Sequence, residues 1–121
     1  MPQVDEITLT LPRDREFHRV AQLVLGGLAV RLELTIEMLE DLQLGLAAIL
    51  DRAAPGGEIT VSMSIDDGTL ETCIGPVDVA AELGENGDGL NLGRILNAVV
   101  DEVKLDGDHV RLLKKIGSKG G

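Results

Sequence analysis

The sequence has no tryptophan, no tyrosine and a single phenylalanine, Phe17. Without aromatic rings there is no platform on which bases could stack, which argues against a single-strand nucleic-acid binder. The core of a chain that is 44% hydrophobic must therefore be built from Leu, Val, Ile and Ala. Cysteine is equally scarce. Cys73 stands alone, so no intrachain disulfide can form, which fits a reducing cytoplasm. Basic residues are outnumbered, 11 against 21 acidic, and the formal net charge is −10. A phosphate backbone repels such a surface, so no nucleic acid is expected, whereas basic or mixed-charge protein partners fit. No apolar run reaches the roughly 18 residues of a membrane span. The start MPQVDEITLT has neither the basic nor the apolar region of a signal peptide. The expected localisation is cytoplasmic. His18 and His109 are far apart and lack ligand-spaced Cys or carboxylate companions, so no metal site is expected. Cys73 reads as a small buried strand residue.

What is present is a well-patterned chain of 121 residues, the size of one domain over 1–121, with 117–121 as a frayed tail. Ile7, Leu9 and Leu11 alternate with Glu6, Thr8 and Thr10 and predict a half-buried strand ended by Pro12. Phe17, Val20, Val24 and Leu28, with Ala21 and Leu25 beside them, predict the core stripe of a helix. Gly26-Gly27 interrupts it, which predicts either a weakened helix or a close packing partner. Thr35 is placed to cap a second helix, with Glu37 in its first turn. Leu39, Leu42, Leu46, Ile49 and Ala53 form that helix's stripe, and Pro55-Gly56-Gly57 ends it. Two alternating runs, Ile59–Ile65 and Leu70–Ile74, flank the turn Asp66-Asp67-Gly68. A Gly- and acid-rich loop over 78–89 precedes a helix carrying Leu92, Ile95, Leu96, Val99 and Val100, and a hairpin turning at Asp106-Gly107-Asp108 closes the chain. This order predicts an α/β two-layer sandwich, a mixed sheet covered on one face by helices.

Order and residues together resemble the anti-sigma regulatory factors, serine-protein kinases of the GHKL (Bergerat-fold, histidine-kinase-like) ATPase class. The resemblance spans about residues 5 to 116. Its best stretch is EFHRVAQLVLGGLAVRLELTIEMLEDLQLGLAAILDRA, from Glu16 to Ala53. There Gly27, Ala29, Arg31, Glu37, Glu40, Asp41 and Leu44 stand where the family pattern has such types. ILNAVVDEV, from Ile95 to Val103, is similar to the family's helix running into Asp-Glu-Val.

The chain departs from the family where the family does chemistry. The nucleotide helix of such kinases carries a Glu, the base toward the attacking hydroxyl, and four residues later an Asn that coordinates Mg²⁺. One turn apart, the two point at one site. Here those positions hold Ala48, which cannot accept a proton, and Arg52, which has only donors and a fixed positive charge. The family's Asp-x-Gly-x-Gly box matches Cys73-Ile74-Gly75-Pro76-Val77, where Cys73 replaces the adenine-binding Asp and Val77 the second glycine. Only Gly75 and Pro76 keep the pattern. In the last glycine-rich stretch, Gly89 and Gly93 can still shape a loop, out of register by a residue or two.

These features imply a non-catalytic anti-sigma-factor-like regulator with no expected cofactor, which binds a sigma factor or an antagonist of the STAS type. The resemblance also implies a homodimer. Candidate partner contacts are Arg13, Arg15 and Arg19 around the first helix start, Gln22 where the family has an arginine, and the acidic Glu37, Glu40 and Asp41. Each cluster also reads as an ordinary solvated face. Two alternatives stay open. One is a divergent ATP- and Mg²⁺-dependent serine-protein kinase or ATPase using Asp51; the other is a small-ligand or structural module in which Ala48 and Val77 make the old pocket apolar.

Overall fold

Alternation with period two writes the sheet. Ile59, Val61 and Met63 on one strand and Leu70, Thr72 and Ile74 on the next are buried, while Thr60, Ser62, Glu71 and Cys73 between them are half-buried on the other face. The computed structural model describes residues 6–53, 56–79 and 92–116. Within them the order is β1 (Glu6–Pro12), a 3-10 turn (Arg15–Phe17), α1 (His18–Arg31), α2 (Ile36–Leu50), β2 (Glu58–Asp66), β3 (Thr69–Gly75), α3 (Leu92–Val99), β4 (Glu102–Asp106) and β5 (His109–Lys115). The expected tail 117–121, the residue Pro55 and most of the loop 78–89 lie outside the described residues.

The α/β two-layer architecture is as expected, but the sheet is not mixed. Its order is β1-β2-β3-β5-β4, and every pairing is antiparallel. The reason lies in the connections. One crossover helix returns a chain to lay the next strand parallel; the two helices α1 and α2 between β1 and β2 reverse it once more. The single helix α3 does set β4 parallel to β3 in direction, but the β4–β5 hairpin folds β5 into the gap between them. Both hairpins turn on left-handed residues, Asp67-Gly68 with φ 54 and 76, and Gly107 with φ 65.

The helices cover one face. α2 packs between α1 and α3, and Leu25, Leu42, Leu46, Ile49 and Leu96 join the strand residues in one apolar cluster. Thr35 caps α2 as expected, its Oγ1 accepting from the Met38 N–H at 3.1 Å. α2 stops at Leu50, with Asp51 as its C-cap, so Arg52 and Ala53 lie beyond the last turn. Of the two expectations for Gly26-Gly27, the close packing partner is not found among the described residues. α1 runs unbroken to Arg31, and a Cβ at either glycine would meet nothing within 4 Å. The face of α1 is also shifted: Ala21, Leu25, Leu28 and Ala29 are buried, whereas Val20 is 41% exposed.

One core position breaks the apolar rule. Thr72 is 4% exposed and its hydroxyl has no hydrogen-bond partner among the described residues. An unmade buried hydrogen bond costs about 1–3 kcal/mol, and valine has the same shape. Thr72→Val is therefore expected to raise stability by about 1 kcal/mol, read as a higher urea midpoint at unchanged slope.

Candidate functional site

The strand register brings one set of ends together. Pro12 pairs with Glu58, Thr60 with Gly75 and Asp106 with His109, so the exits of β1, β3 and β4 and the starts of β2 and β5 share an edge. Arg13 stitches it. Its backbone N–H donates to the Gly57 carbonyl at 3.1 Å, its Nε to the Glu58 carbonyl at 3.1 Å and its Nη2 to the Pro76 carbonyl. Val77 N–H donates to the Asp108 carbonyl at 2.8 Å, and His109 Nδ1 meets Asp108 Oδ1 at 2.8 Å. A cavity of about 230 Å³ opens beside this edge between Arg13, Pro76, Asp78, Leu105 and Asp108. A second, also about 230 Å³, lies between Arg13, Arg15, His18, Leu50, Asp51 and Ala53. His18 Nδ1 stands 3.9 Å from Asp51 Oδ1 there.

The nucleotide-box positions do not converge. Ala48 is buried on α2. Arg52 folds back along its own helix, its Nη1 donating to the Ala48 carbonyl at 2.9 Å. Val77 is buried, and together with Val79, Leu92, Leu96 and Val100 it belongs to the same apolar cluster as Ala48. Gly93 is buried in the first turn of α3, and Gly89 lies outside the described residues. Cys73 is on the opposite face of the sheet from the helices, paired across the ladder with Ser62 and Arg111. It is not positioned to stand in for an adenine-binding Asp beside Ala48. Burial pushes its thiol above the usual range; the nearby Arg111 guanidinium opposes that rise, and Glu71 and Asp106 add to it. Gly75 shares that outer side, tight against the His109 ring.

No family model matches the chain. Curated relatives do. The chain is 31% identical to the serine-protein kinase RsbW of Listeria monocytogenes serovar 1/2a over 145 aligned positions, covering 95% of this chain and 90% of the relative. It is 30% identical to RsbW of Listeria innocua serovar 6a with the same coverage. The chain belongs to the RsbW serine-protein kinase family. The anti-sigma-factor resemblance of the sequence thus extends over nearly the whole chain.

Within this RsbW-family scaffold the candidate partner residues form two groups, not one patch. Arg15 and Arg19 are exposed around the start of α1. The Arg13 side chain is engaged with the Glu58 and Pro76 carbonyls. Glu37 and Glu40 are exposed in the first half of α2, and Asp41 pairs with Lys114 at 3.5 Å. α1 and α2 run antiparallel, so the basic and acidic groups sit at opposite ends of the helix pair. Gln22 is not a free contact residue: its Nε2 donates to the Gln43 carbonyl at 3.2 Å and ties α1 to α2. Sequence reasoning missed the structural work of Arg13 and His109, for which no local pattern exists. It also missed the outward apolar face of α1, and there a signal was available. The segment VAQLVLGGLAV is apolar all round, and a helix of that kind has neighbours on more than one side.

Proposed function

We propose that this RsbW-family protein is a non-catalytic, anti-sigma-factor-like regulator that works by binding a sigma factor or a STAS-type antagonist. The observation that carries the reading is the pair Ala48 and Arg52. Where a kinase of this class needs a proton acceptor and a metal ligand, one side chain is an inert methyl in the core, and the other is a cation hydrogen-bonded to its own helix. Val77, where the family has a glycine, is likewise buried in the apolar core and adds no group that would orient a nucleotide. Regulation by occlusion needs none of that chemistry. No helix among the described residues is long and apolar enough to cross a membrane, and we place the protein in the cytoplasm with its partners.

The test is co-purification and calorimetry with the cognate sigma and STAS proteins. A stable complex is expected without nucleotide, and ATP with Mg²⁺ is expected to bind more weakly than about 100 μM, roughly 5.5 kcal/mol. A complex that requires ATP, or phosphate transfer to the STAS protein that disappears in Asp51→Ala, would overturn the reading.

A further inference from the structure

The helix layer exposes apolar side chains beside the tie between α1 and α2. Leu23 and Val30 on α1 are 69% and 79% exposed, and Ile36 and Leu44 on α2 are 71% and 54% exposed. The Gln22–Gln43 hydrogen bond sets the register of the two antiparallel helices. Leu23 and Leu44 each follow one end of it by one residue, and Val30 and Ile36 flank the turn that joins the helices. Leu23 and Val30 lie two turns apart, about 10 Å, and Ile36 and Leu44 about 12 Å. Gly26 falls between Leu23 and Val30 on the same arc of about 60°, and a Cβ there would meet nothing within 4 Å. The patch thus has apolar corners around a gap, at the spacing of a helix that presents apolar residues over two turns.

Charge selects the kind of helix. Glu33, Glu37 and Glu40 gather at one end of the patch, where α1 gives way to α2. All three are exposed, and none has an ion-pair partner among the described residues. Glu40 stands between Ile36 and Leu44 on the outer ridge of α2, one turn from each. Glu33 holds φ 58. It closes α1 where glycine is the favoured residue, with the Leu34 N–H donating to the Ala29 carbonyl at 2.9 Å. An apolar surface edged by unpaired carboxylates fits a partner that is apolar in the middle and basic at that edge.

We infer that this patch docks a basic amphipathic helix of the sigma factor. The inference rests on the reading of the protein as a regulator that works by binding, and it chooses between that reading's two partners. A sigma factor contacts promoter DNA and therefore carries helices with basic faces. Such a helix is drawn to a chain of net charge −10, and to its unpaired glutamates first. Contact with Leu23, Val30, Ile36 and Leu44 then holds it, as a helix laid in an apolar groove. Docking there covers a face that the partner uses for phosphates, so occlusion follows from the same contact.

Calorimetric titration of the full-length protein with the cognate sigma factor, at about 50 and 200 mM salt, tests it, with the STAS protein titrated alongside. The wild type is expected to bind the sigma factor more weakly at the higher salt. Gly26→Leu fills the gap and is expected to weaken that binding roughly tenfold or more, with a urea midpoint no lower than wild type. Glu37→Gln with Glu40→Gln keeps the shape and removes the charge, and is expected to weaken binding and flatten its salt dependence. Glu33→Gly is expected to raise the urea midpoint while it weakens the complex, which a residue serving only the turn would not do. A sigma complex indifferent to Gly26→Leu and to the paired Gln variant overturns the docking surface and leaves the regulator reading standing. If the losses are confined to STAS binding, the patch has another occupant and the proposal is overturned. The same holds if sedimentation velocity shows Gly26→Leu disrupting contact between copies of the chain while sigma binding is unchanged. No complex with either protein overturns the regulator reading, and this inference with it.

Discussion

Gly75→Ala is expected to cost about 3 kcal/mol, at the upper end of overpacking effects, although it adds only one methyl group. The added Cβ would lie 2.6 Å from two atoms of the His109 ring and 2.8 Å from the Asp108 carbonyl oxygen. The ring can swing away, since the His109 side chain is 40% exposed, but that gives up its 2.8 Å contact with Asp108 Oδ1. The carbonyl has no such freedom. It is backbone, in the turn leading into β5, and it already accepts from Val77 N–H at 2.8 Å. Relieving one clash therefore pulls the segment after β3 away from the β4–β5 turn. The expected reading is a fall in the thermal midpoint of roughly 10 °C or more. His109→Ala in the same chain should recover the part due to the ring and leave the part due to the carbonyl. An unchanged midpoint for Gly75→Ala would mean that the β3 exit and the β5 entry are not packed as described. Gly27→Ala provides the contrast. With open space around it, the same methyl group should stabilise by about 0.5–1 kcal/mol.

The contrast between these glycines marks where sequence and structure part company. A turn glycine announces itself through its neighbours, as in Asp66-Asp67-Gly68. A glycine kept small by a histidine more than thirty residues away gives no local sign. The elements themselves were legible because their signals are local: the alternation in β1, β2 and β3, the Thr35 cap, the turn residues of both hairpins. Sheet order was not, because the insertion of β5 between β3 and β4 depends on how a hairpin competes with a crossover for the same edge, and no single segment encodes that. The face of α1 was misjudged for a different reason. With apolar residues on most sides, its periodicity selects no direction, and Val20, which fits the core stripe by spacing, faces out. Cys73 shows the reverse failure. The alternation through Thr72 and Ile74 puts its side chain on the sheet face away from the helices, and a match to the family's adenine box by order along the chain carries no information on that parity.

Restoring the family's two polar groups should not restore its chemistry. In Ala48→Glu with Arg52→Asn, both residue types of the nucleotide helix are back one turn apart. Yet position 48 is 9% exposed and belongs to the apolar cluster that includes Val77, Val79, Leu92 and Leu96. A carboxylate placed there either ionises in an apolar setting or takes up a proton and still lacks a hydrogen-bond partner. The single variant Ala48→Glu is the milder case, because it keeps the Arg52 guanidinium, whose Nη1 already lies at the Ala48 carbonyl and holds a positive charge near the new carboxylate. Replacing Arg52 by Asn removes that cation, so the double variant should be the less stable of the two, by about 3 kcal/mol or more relative to wild type. ATP with Mg²⁺ should still bind it more weakly than about 100 μM, since the two substitutions leave Cys73 on the far face and Val77 and Val79 in place. Urea unfolding and calorimetric titration of the same preparations read both outcomes. A double variant that folded as well as wild type and bound ATP tightly would show that the nucleotide cleft is intact and lacks only two side chains. The apolar cluster that Ala48 joins argues against that outcome, because a carboxylate entering it loses its water without gaining a hydrogen-bond partner from those side chains.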